Sequence, residues 1–436
     1  KPAAFTSKDH NFRPGESVEK QIILVNNSRQ TVTARCRWSL ALPEPLSGAA
    51  EATIATGRQE RIPLAFALPA ALPAGEYELS AEVAFSDGQV QKDTFTVHVM
   101  PGPAPPSLAE KIAIFDPQGE STAMLAARGV KCHPIGAGEN LADYNLLVVG
   151  KGALTADSPG PDLGRVRDGL KVIVFEQTAE ALERRLGFRI AAYGLRRVFQ
   201  RLPDHPLLAG LDAENLRDWR GSATLLPPRL DYFTSQVYGG PAVKWCGLEV
   251  PRVWRCGNRG NVASATIEKP ACGDFLPVLD GGYALQYAAL MEYREGAGMV
   301  LFCQTDVTGR TEGDPAAETL ARNLIEYAAG WTPSPRRTVI YAGDPAGRAH
   351  LEACGLQRSS LLAGGAAHIE CPPSGMCTGG HADELPHPAG HLVSSLHVEP
   401  VVARVVTVHL VTSGPWVDKH MGARPAGQKR VVTGHE

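Results

Sequence analysis

Carboxylates next to strand-like segments are the residues of this chain with the most obvious chemistry. Glu176, Glu268, Asp306 and Asp314 all have such positions, and a pair of carboxylates can act as general acid and nucleophile in glycosidic cleavage. Such pairs normally lie at the carboxyl ends of barrel strands, and the chain lacks an eightfold β/α alternation. We therefore predict no catalytic residues, and instead a structural polar cluster of Glu176, Asp306, Arg310 and Asp314, in which Asp306 pairs with Arg310.

A cysteine nucleophile would need a tight strand-to-helix turn with small neighbours. The corresponding strand end, residues 174–178, reads Val-Phe-Glu-Gln-Thr and has neither Cys nor Ser. Cys303 lies inside an apolar run, where a neutral thiol is inert. The nine cysteines form no C-x-x-C pair, so we expect buried free thiols and no metal site. The sequence leaves open whether two of the three cysteines Cys246, Cys256 and Cys272 form a disulfide.

Three tryptophans and an arginine lie close together in a region without clear periodicity. They are Trp219, Trp245, Trp254 and Arg252. Because aromatic faces stack on sugar rings, one interpretation is a carbohydrate-binding platform with an oligosaccharide as its ligand. The other is that these rings pack against the sheet or against a neighbouring domain.

Composition is that of an ordinary globular protein, with 44% hydrophobic and 20% charged residues. The formal net charge of −3 argues against nucleic acid and anionic membranes as partners. The glycine-rich pieces at 257–260 and 343–347 match no phosphate-binding or dinucleotide fingerprint, so no cofactor is expected. The chain begins at Lys1, and we expect it to be a fragment of a longer polypeptide.

Residues 1–100 are predicted to be all-β. Segments 18–25, 31–38, 75–83 and 94–99 read as strands, and Asp87-Gly88 is a strong hairpin turn. Short strands at this spacing favour an immunoglobulin-like sandwich. The following residues, 101–110, contain four prolines in their first six positions, which predicts a stiff linker.

Residues 111–333 show a different pattern, in which continuous apolar runs alternate with helical segments. The runs at 111–116, 145–150, 171–176 and 299–304 are typical of buried parallel strands. A helix is expected over 315–327, with Asp314 as its N-cap. The pattern predicts a doubly wound parallel sheet with an irregular insertion at about 190–290.

The last hundred residues are harder to interpret. Residues 334–358 repeat the strand, D-P-x-G turn and helix of residues 111–130, so we expect the start of a second, truncated α/β domain. Residues 359–436 contain no Phe or Tyr, yet hold eight of the thirteen histidines. A disordered tail and a sequence read out of frame both remain open, and we favour the second.

Three stretches carry a family resemblance. Residues 204–211, Asp-His-Pro-Leu-Leu-Ala-Gly-Leu, resemble a signature of class I glutamine amidotransferase-like domains. Residues 296–327 look like the closing strand and helix of such a domain in β-galactosidase-like enzymes. Residues 5–21 are similar to the stretch after the catalytic barrel in bacterial family 2 glycoside hydrolases. Over residues 3–356 the chain thus resembles the C-terminal accessory region of such an enzyme.

The resemblance implies an immunoglobulin-like sandwich followed by a flavodoxin-like (amidotransferase-like) domain without its nucleophile. It also implies that β-glycosides are hydrolysed by a TIM barrel upstream of Lys1, and that the chain contacts this barrel or further copies of itself. A periplasmic or extracellular location is favoured. The leading interpretation is a non-catalytic accessory or oligomerisation region. A carbohydrate-binding protein and an amidotransferase-derived enzyme are the alternatives.

Overall fold

A computed structural model describes residues 8–106, 108, 111–223, 225, 229–233, 242–245, 248–251 and 253–333. Short segments follow at 338–341, 345–346, 349–350, 357–359 and 367–370, and side chains are not described for residues 226–257. The described part of the chain is rich in β-strands and has two α-helices, so it is a β-rich multidomain chain. None of its helices is long and apolar enough to cross a membrane.

The N-terminal strands form two antiparallel layers. They are β1 (Asn11–Phe12), β2 (Ser17–Val25), β3 (Val32–Leu40), β4 (Leu46–Ile54), β5 (Gln59–Ala67), β6 (Gly75–Phe85) and β7 (Val90–Val99). One sheet has the order β1-β7-β6-β3-β4, in which only the short β1 is parallel to its neighbour. The other sheet is the pair β2-β5.

Period-two alternation explains why these segments pair as two layers. In β3, Val32, Ala34 and Cys36 are buried, whereas Arg35 and Arg37 between them are exposed. Strands β2, β5, β6 and β7 add their own alternating apolar residues to the same cluster. Burial of this shared apolar surface stabilises the packing of the two sheets.

The second part of the chain is organised around one large sheet. In chain order its elements are β8 (Ile112–Phe115), α1 (Glu120–Ala126), β9 (Cys132–Pro134), β10 (Leu146–Val149), a 3-10 helix (Leu163–Asp168), β11 (Lys171–Val174), a π-helix (Ala181–Arg185), β12 (Ile190–Leu195), β13 (Phe199–Gln200), two 3-10 turns (Pro206–Leu208 and Glu214–Leu216), β14 (Arg229–Phe233), β15 (Ala242–Trp245), β16 (Leu248–Pro251), β17 (Val253–Gly257), β18 (Ala263–Glu268), β19 (Phe275–Gly281), a 3-10 turn (Tyr283–Leu285), β20 (Tyr287–Glu295), β21 (Gly298–Cys303) and α2 (Pro315–Gly330).

The large sheet is mixed, which corrects the expectation of a parallel sheet. Its order is β12-β18-β20-β21-β11-β10-β8-β9. The five strands from β21 to β9 are parallel, and β20, β18 and β12 continue antiparallel beyond β21. The segment expected to be irregular therefore supplies the regular strands β12, β18 and β19 and part of β20. Pairs β14-β17 and β15-β16 form separate ribbons.

Both faces of the parallel strands are buried, which their unbroken apolar sequences require. Ile114, Val148 and Ile173 face one core, which also receives α1 and α2. The alternate residues of the same strands face a second core. Among the described residues this second face is covered by the 3-10 helix and the π-helix instead of α-helices, so the layer of α-helices is one-sided.

Helix α2 begins where the sequence predicts. Asp314 accepts a hydrogen bond from Ala316 N at 3.0 Å, and Pro315 occupies the first helical position. Leu320 and Leu324 face the core on one side of the helix. The helix continues to Gly330, three residues beyond the expected end.

The described residues between 338 and 370 belong to a second compact unit. Its described strands are β22 (Thr338–Tyr341), β23 (Gln357–Ser359) and β24 (Ala367–Glu370), in the order β22-β24-β23. Both pairings are antiparallel. The start of a second, truncated α/β domain at residues 334–358 stays a prediction. Residues 371–436 lie outside the described residues.

Candidate functional site

The carboxyl ends of the parallel strands gather polar side chains at one edge of the sheet. Asp116 directly follows β8, Lys151 and Glu176 come two residues after β10 and β11, and Asp306 comes three residues after β21. In open α/β sheets this edge is where ligands usually bind. It is therefore the first place to test for chemistry.

Glu176 is almost completely buried, at 1% exposure. One carboxyl oxygen accepts a hydrogen bond from Thr308 N at 2.7 Å, and the other accepts from Thr308 Oγ1 at 2.9 Å. Burial, together with the negative charge of Asp306, raises the pKa of Glu176 to about 8. A carboxyl with this pKa could serve as a general acid, but such an acid must reach its substrate. Here both oxygens are engaged by the protein.

Asp306 belongs to the same buried group. Ser264 Oγ donates a hydrogen bond of 2.5 Å to Asp306 Oδ2. Burial raises the pKa of Asp306 to about 6, although the Ser264 hydroxyl and the positive charges of Arg310 and Lys151 oppose this rise. The two acids therefore lie close enough to influence each other's protonation.

Arg310 binds other groups than the predicted carboxylate. Its Nε donates to Arg220 O at 2.7 Å and its Nη2 donates to Trp219 O at 2.8 Å. The side chain thus holds the backbone of residues 219–220, and the direct ion pair with Asp306 that we predicted is absent among the described contacts. The physical reason is that two carbonyl groups lie within reach of the guanidinium and would otherwise be buried without a donor.

Asp314 lies at the junction of the two domains. Besides capping α2, it accepts hydrogen bonds from Asn11 Nδ2 at 3.3 Å and from Arg220 N at 2.9 Å. It therefore ties β1 of the sandwich to the start of α2. Burial raises its pKa against the effect of these hydrogen bonds.

Further polar contacts of the sandwich surround Asp314. The side chains of Asn11 and Asn215 bond reciprocally, Asn215 Nδ2 donating to Asn11 Oδ1 at 3.1 Å and Asn11 Nδ2 donating to Asn215 O at 3.2 Å. A ring nitrogen of His10 lies 2.7 Å from Glu214 O. All three side chains of this group, at positions 10, 11 and 215, are buried.

Two arginines complete this contact from opposite sides. Arg13, from the sandwich, donates to Thr311 O at 2.9 Å and to Glu318 Oε2 at 2.6 Å. Arg220, from the α/β domain, donates to Glu16 Oε2 at 2.6 Å, and its guanidinium lies 4.9 Å from the centre of the Phe12 ring. We call the contacts made by residues 10–16 with residues 214–220 and 311–318 the domain junction.

Cys303 has the environment of a structural thiol. It is fully buried, and its Sγ lies 3.0 Å from Thr305 Oγ1. Burial raises the pKa of the thiol far above its ordinary value, so the reactive thiolate is suppressed. Cys36 is also buried and free, whereas Cys272 is exposed and free. Cys246 and Cys256 lie outside the residues whose side chains are described.

Trp219 must be removed from the predicted carbohydrate platform. Its side chain is fully buried, and its indole Nε1 donates to Asn215 O at 2.8 Å. A ring without an accessible face cannot stack on a sugar. Trp245, Trp254 and Arg252 lie outside the residues whose side chains are described, so their part of the prediction stays a prediction.

Glu176, Asp306, Arg310 and Asp314 are all buried, and their grouping into one structural cluster stays a prediction. Sequence reasoning missed the domain junction. Asn11, Arg13 and Arg220 have no local motif that marks them. Their partners are about 200 to 300 residues away in the chain. The remaining carboxylate candidate, Glu268, is partly exposed and lies 3.8 Å from Arg189.

Comparisons with known proteins give little further information. No known protein family matches the chain, and no curated protein matches it either. Three of the solved structures with partial similarity are the sporulation control protein Spo0M from Bacillus subtilis, a family 123 glycoside hydrolase from Clostridium perfringens and a β-glucuronidase from Bacteroides uniformis.

Each of these similarities is short and weak. The sequence identities are 16%, 11% and 10%, and the TM-scores are 0.16, 0.16 and 0.19. The matches cover 22%, 24% and 37% of this chain and 46%, 26% and 21% of the other proteins. The chain thus spans less than half of each of these proteins. Glycoside hydrolases occur among the similar structures, but scores this low carry no argument about function.

Proposed function

We propose that this chain is a non-catalytic accessory or oligomerisation region of a glycoside hydrolase acting on β-glycosides, with the catalytic barrel upstream of Lys1. The sequence resemblance supports the enzyme class. The domain junction is the observation that supports an accessory role. Buried side chains such as Asn11 and Asp314 fix the sandwich on the α/β domain, and a region that positions a barrel or contacts other subunits needs such rigidity.

The proposal includes the amidotransferase-like assignment of residues 111–333. In the family that the sequence resembles, the turn after the strand equivalent to β11 carries a nucleophile. Here that turn carries Glu176, whose two carboxyl oxygens are held by Thr308. A side chain bound in this way supports the sheet edge and is not available to attack a substrate.

The first test is an activity assay on the full chain. We expect no turnover of nitrophenyl β-glycosides and no release of ammonia from glutamine, because Glu176 and Cys303 are buried. Turnover that is abolished by Glu176→Gln or by Cys303→Ser would overturn the proposal. The exposed Cys272 provides a matched control, since Cys272→Ser should change neither assay.

The second test is the coding sequence upstream of Lys1. The proposal expects a β/α barrel there, with glutamates at the carboxyl ends of its strands. An unrelated upstream sequence would contradict it. Titration calorimetry of the chain with oligosaccharides tests the alternative of a sugar-binding protein. A dissociation constant in the millimolar range or below would favour that alternative.

A further inference from the structure

Strand β2 of the sandwich has an open edge. Among the described residues β5 is its only partner in the sheet. All nine residues of β2 pair with β5 without a register shift, and none of them is Pro or Gly. Proteins usually protect such long, regular edges with prolines, bulges or covering segments. The backbone groups along the free side of β2 are therefore ready to pair with another strand.

The outer face of this strand is unusually apolar for an exposed surface. Ile23 and Val25 are 41% and 54% exposed, and they are two of the five large hydrophobic residues that are exposed in the described part of the chain. On the neighbouring strand, Pro63 and Ala65 share this outer face and are exposed as well. Exposed apolar residues on an open edge mark an interaction surface or an aggregation hazard.

The one charged residue of β2 that points inwards is already satisfied. Lys20 donates to Asp9 O, and its ammonium lies 4.5 Å from the centre of the Phe95 ring. Its charge is therefore held inside the sandwich and does not face an approaching strand. An inward-pointing charge protects a strand edge only when a second strand would bury that charge without a partner. Lys20 already has partners within its own chain, so it does not protect the edge of β2 in this way.

We propose that β2 pairs antiparallel with β2 of a second copy of this chain, across a twofold axis at Gln21. This surface deepens the oligomerisation role proposed above and rests on it. In this register Glu19 of one copy lies opposite Ile23 of the other, and residues keep their inner or outer face because the alternation has period two. The contact is closed by symmetry, so it forms a dimer and not a fibre.

Charge complementarity selects a second copy and this register. Within one chain Arg61 of β5 lies opposite Ile23, and its Nη1 donates to Gln21 Oε1 at 3.5 Å, so an ion pair with a second copy would add to this contact. In the dimer, three residues would then lie side by side on the outer face of the joined sheet. They are Arg61 and Ile23 of one copy and Glu19 of the other. The first and last positions are about 10 Å apart, which an arginine and a glutamate side chain can span over the isoleucine. The symmetry produces this ion pair twice and places no like charges opposite each other.

The test measures the mass of the full chain in solution by sedimentation over a range of concentrations. The monomer has a mass of 46.5 kDa, and we expect a reversible dimer of twice that mass. Ile23→Glu should weaken dimerisation at least tenfold, because it places a carboxylate directly opposite Glu19 of the other copy in each half of the contact. Val90→Glu is the matched control, since Val90 is 55% exposed on β7 of the same sandwich, and it should dimerise like the parent.

Charge reversal tests the register. Glu19→Arg or Arg61→Glu alone should weaken the dimer several-fold, because each creates two like-charge contacts, and the double variant should restore it. A monomeric parent chain, a concentration-dependent series of larger assemblies, or equal dimerisation of Ile23→Glu would overturn the β2 proposal.

The β2 dimer and the accessory role can fail independently of each other. A monomeric chain with a barrel encoded upstream removes only the β2 dimer. Catalysis by the chain itself removes the accessory role, whatever the mass measurement shows.

Discussion

The hydrogen bonds around Glu176 connect four separate parts of the sheet edge. Lys151 N donates to Ser121 Oγ at 2.9 Å, and Ser121 Oγ lies 3.3 Å from Thr308 Oγ1, which donates to Glu176. These residues follow β10, begin α1, follow β21 and follow β11. These hydrogen bonds to Glu176 therefore link four segments that would otherwise be held together only by apolar packing.

Residue-scale chemistry predicts how stability depends on pH. The pKa of Glu176 is raised from 4.5 to about 8, so between these values the folded chain holds a proton that the unfolded chain has lost. The contribution of Glu176 to stability is then fully present below pH 4.5 and is lost as pH rises toward about 8, by up to about 1.4 kcal/mol per pH unit. Asp306 acts in the same direction between 3.8 and about 6.

Glu176→Gln should flatten this dependence, because the amide stays neutral and can still bond to Thr308. Urea unfolding between pH 5 and 8 measures the effect, and the variant should gain stability relative to the parent chain as pH rises. The exposed Glu180 offers a control, since it pairs only with Arg184 at the surface. If the free energy of unfolding depends on pH equally in the parent chain and in Glu176→Gln, Glu176 is not the group that causes the dependence.

At the scale of elements, α2 is held at its first turn. Asp314 caps the helix and also accepts from Arg220 N and Asn11 Nδ2. A simple cap satisfies one orphan amide of a helix, whereas this residue serves a helix, a loop and a strand together. Its loss would leave several buried donors without an acceptor.

Asp314→Ala should therefore lower the free energy of unfolding by about 2–4 kcal/mol. Asp162→Ala is the matched control, because Asp162 caps the 3-10 helix through Gly164 N at 2.9 Å and has no partner in the sandwich. Asp162→Ala should lower the free energy of unfolding by about 1 kcal/mol or less. Thermal and urea unfolding of both variants checks the difference, and similar losses would show that Asp314 acts only as a cap.

At the scale of the whole molecule, the domain junction decides whether residues 8–333 unfold together. Removing Arg13 and Arg220 deletes the bonds to Glu318 and Glu16 from both sides. We expect Arg13→Ala with Arg220→Ala to separate one thermal transition into two, because each change costs about 1–3 kcal/mol of coupling. Calorimetry and proteolysis of the linker at 101–106 measure this separation.

Arg35→Ala provides the control for that experiment. Arg35 pairs with Glu51 at 3.0 Å on the exposed face of the sandwich, and both side chains are largely exposed. Surface pairs of this kind contribute little, so the variant should keep the parent's transition. A double junction variant that still unfolds in the parent's single transition would show that Arg13 and Arg220 do not couple the two domains.

Local patterns were sufficient to locate most regular elements. Alternation in β3 and β6 and the apolar runs of β10 and β11 predict strands close to those observed. The Asp314-Pro315 pair predicts the start of α2. Such signals work because each depends on residues within a few positions of one another. Strands β18 and β19 and part of β20 lie in the segment expected to be an irregular insertion, although β19 and β20 each pair with the next strand along the chain.

The sequence alone determined strands such as β3, β6, β10 and β11, where α2 begins, and that the carboxylates after the strands are structural candidates. Only the tertiary structure decided that Thr308 holds Glu176 across 132 positions of the chain, that Trp219 is buried, and that Arg310 binds backbone carbonyls. The physical reason is that burial and hydrogen-bond partners are set by which distant segments pack together, whereas strand and helix signals come from the periodicity of neighbouring residues.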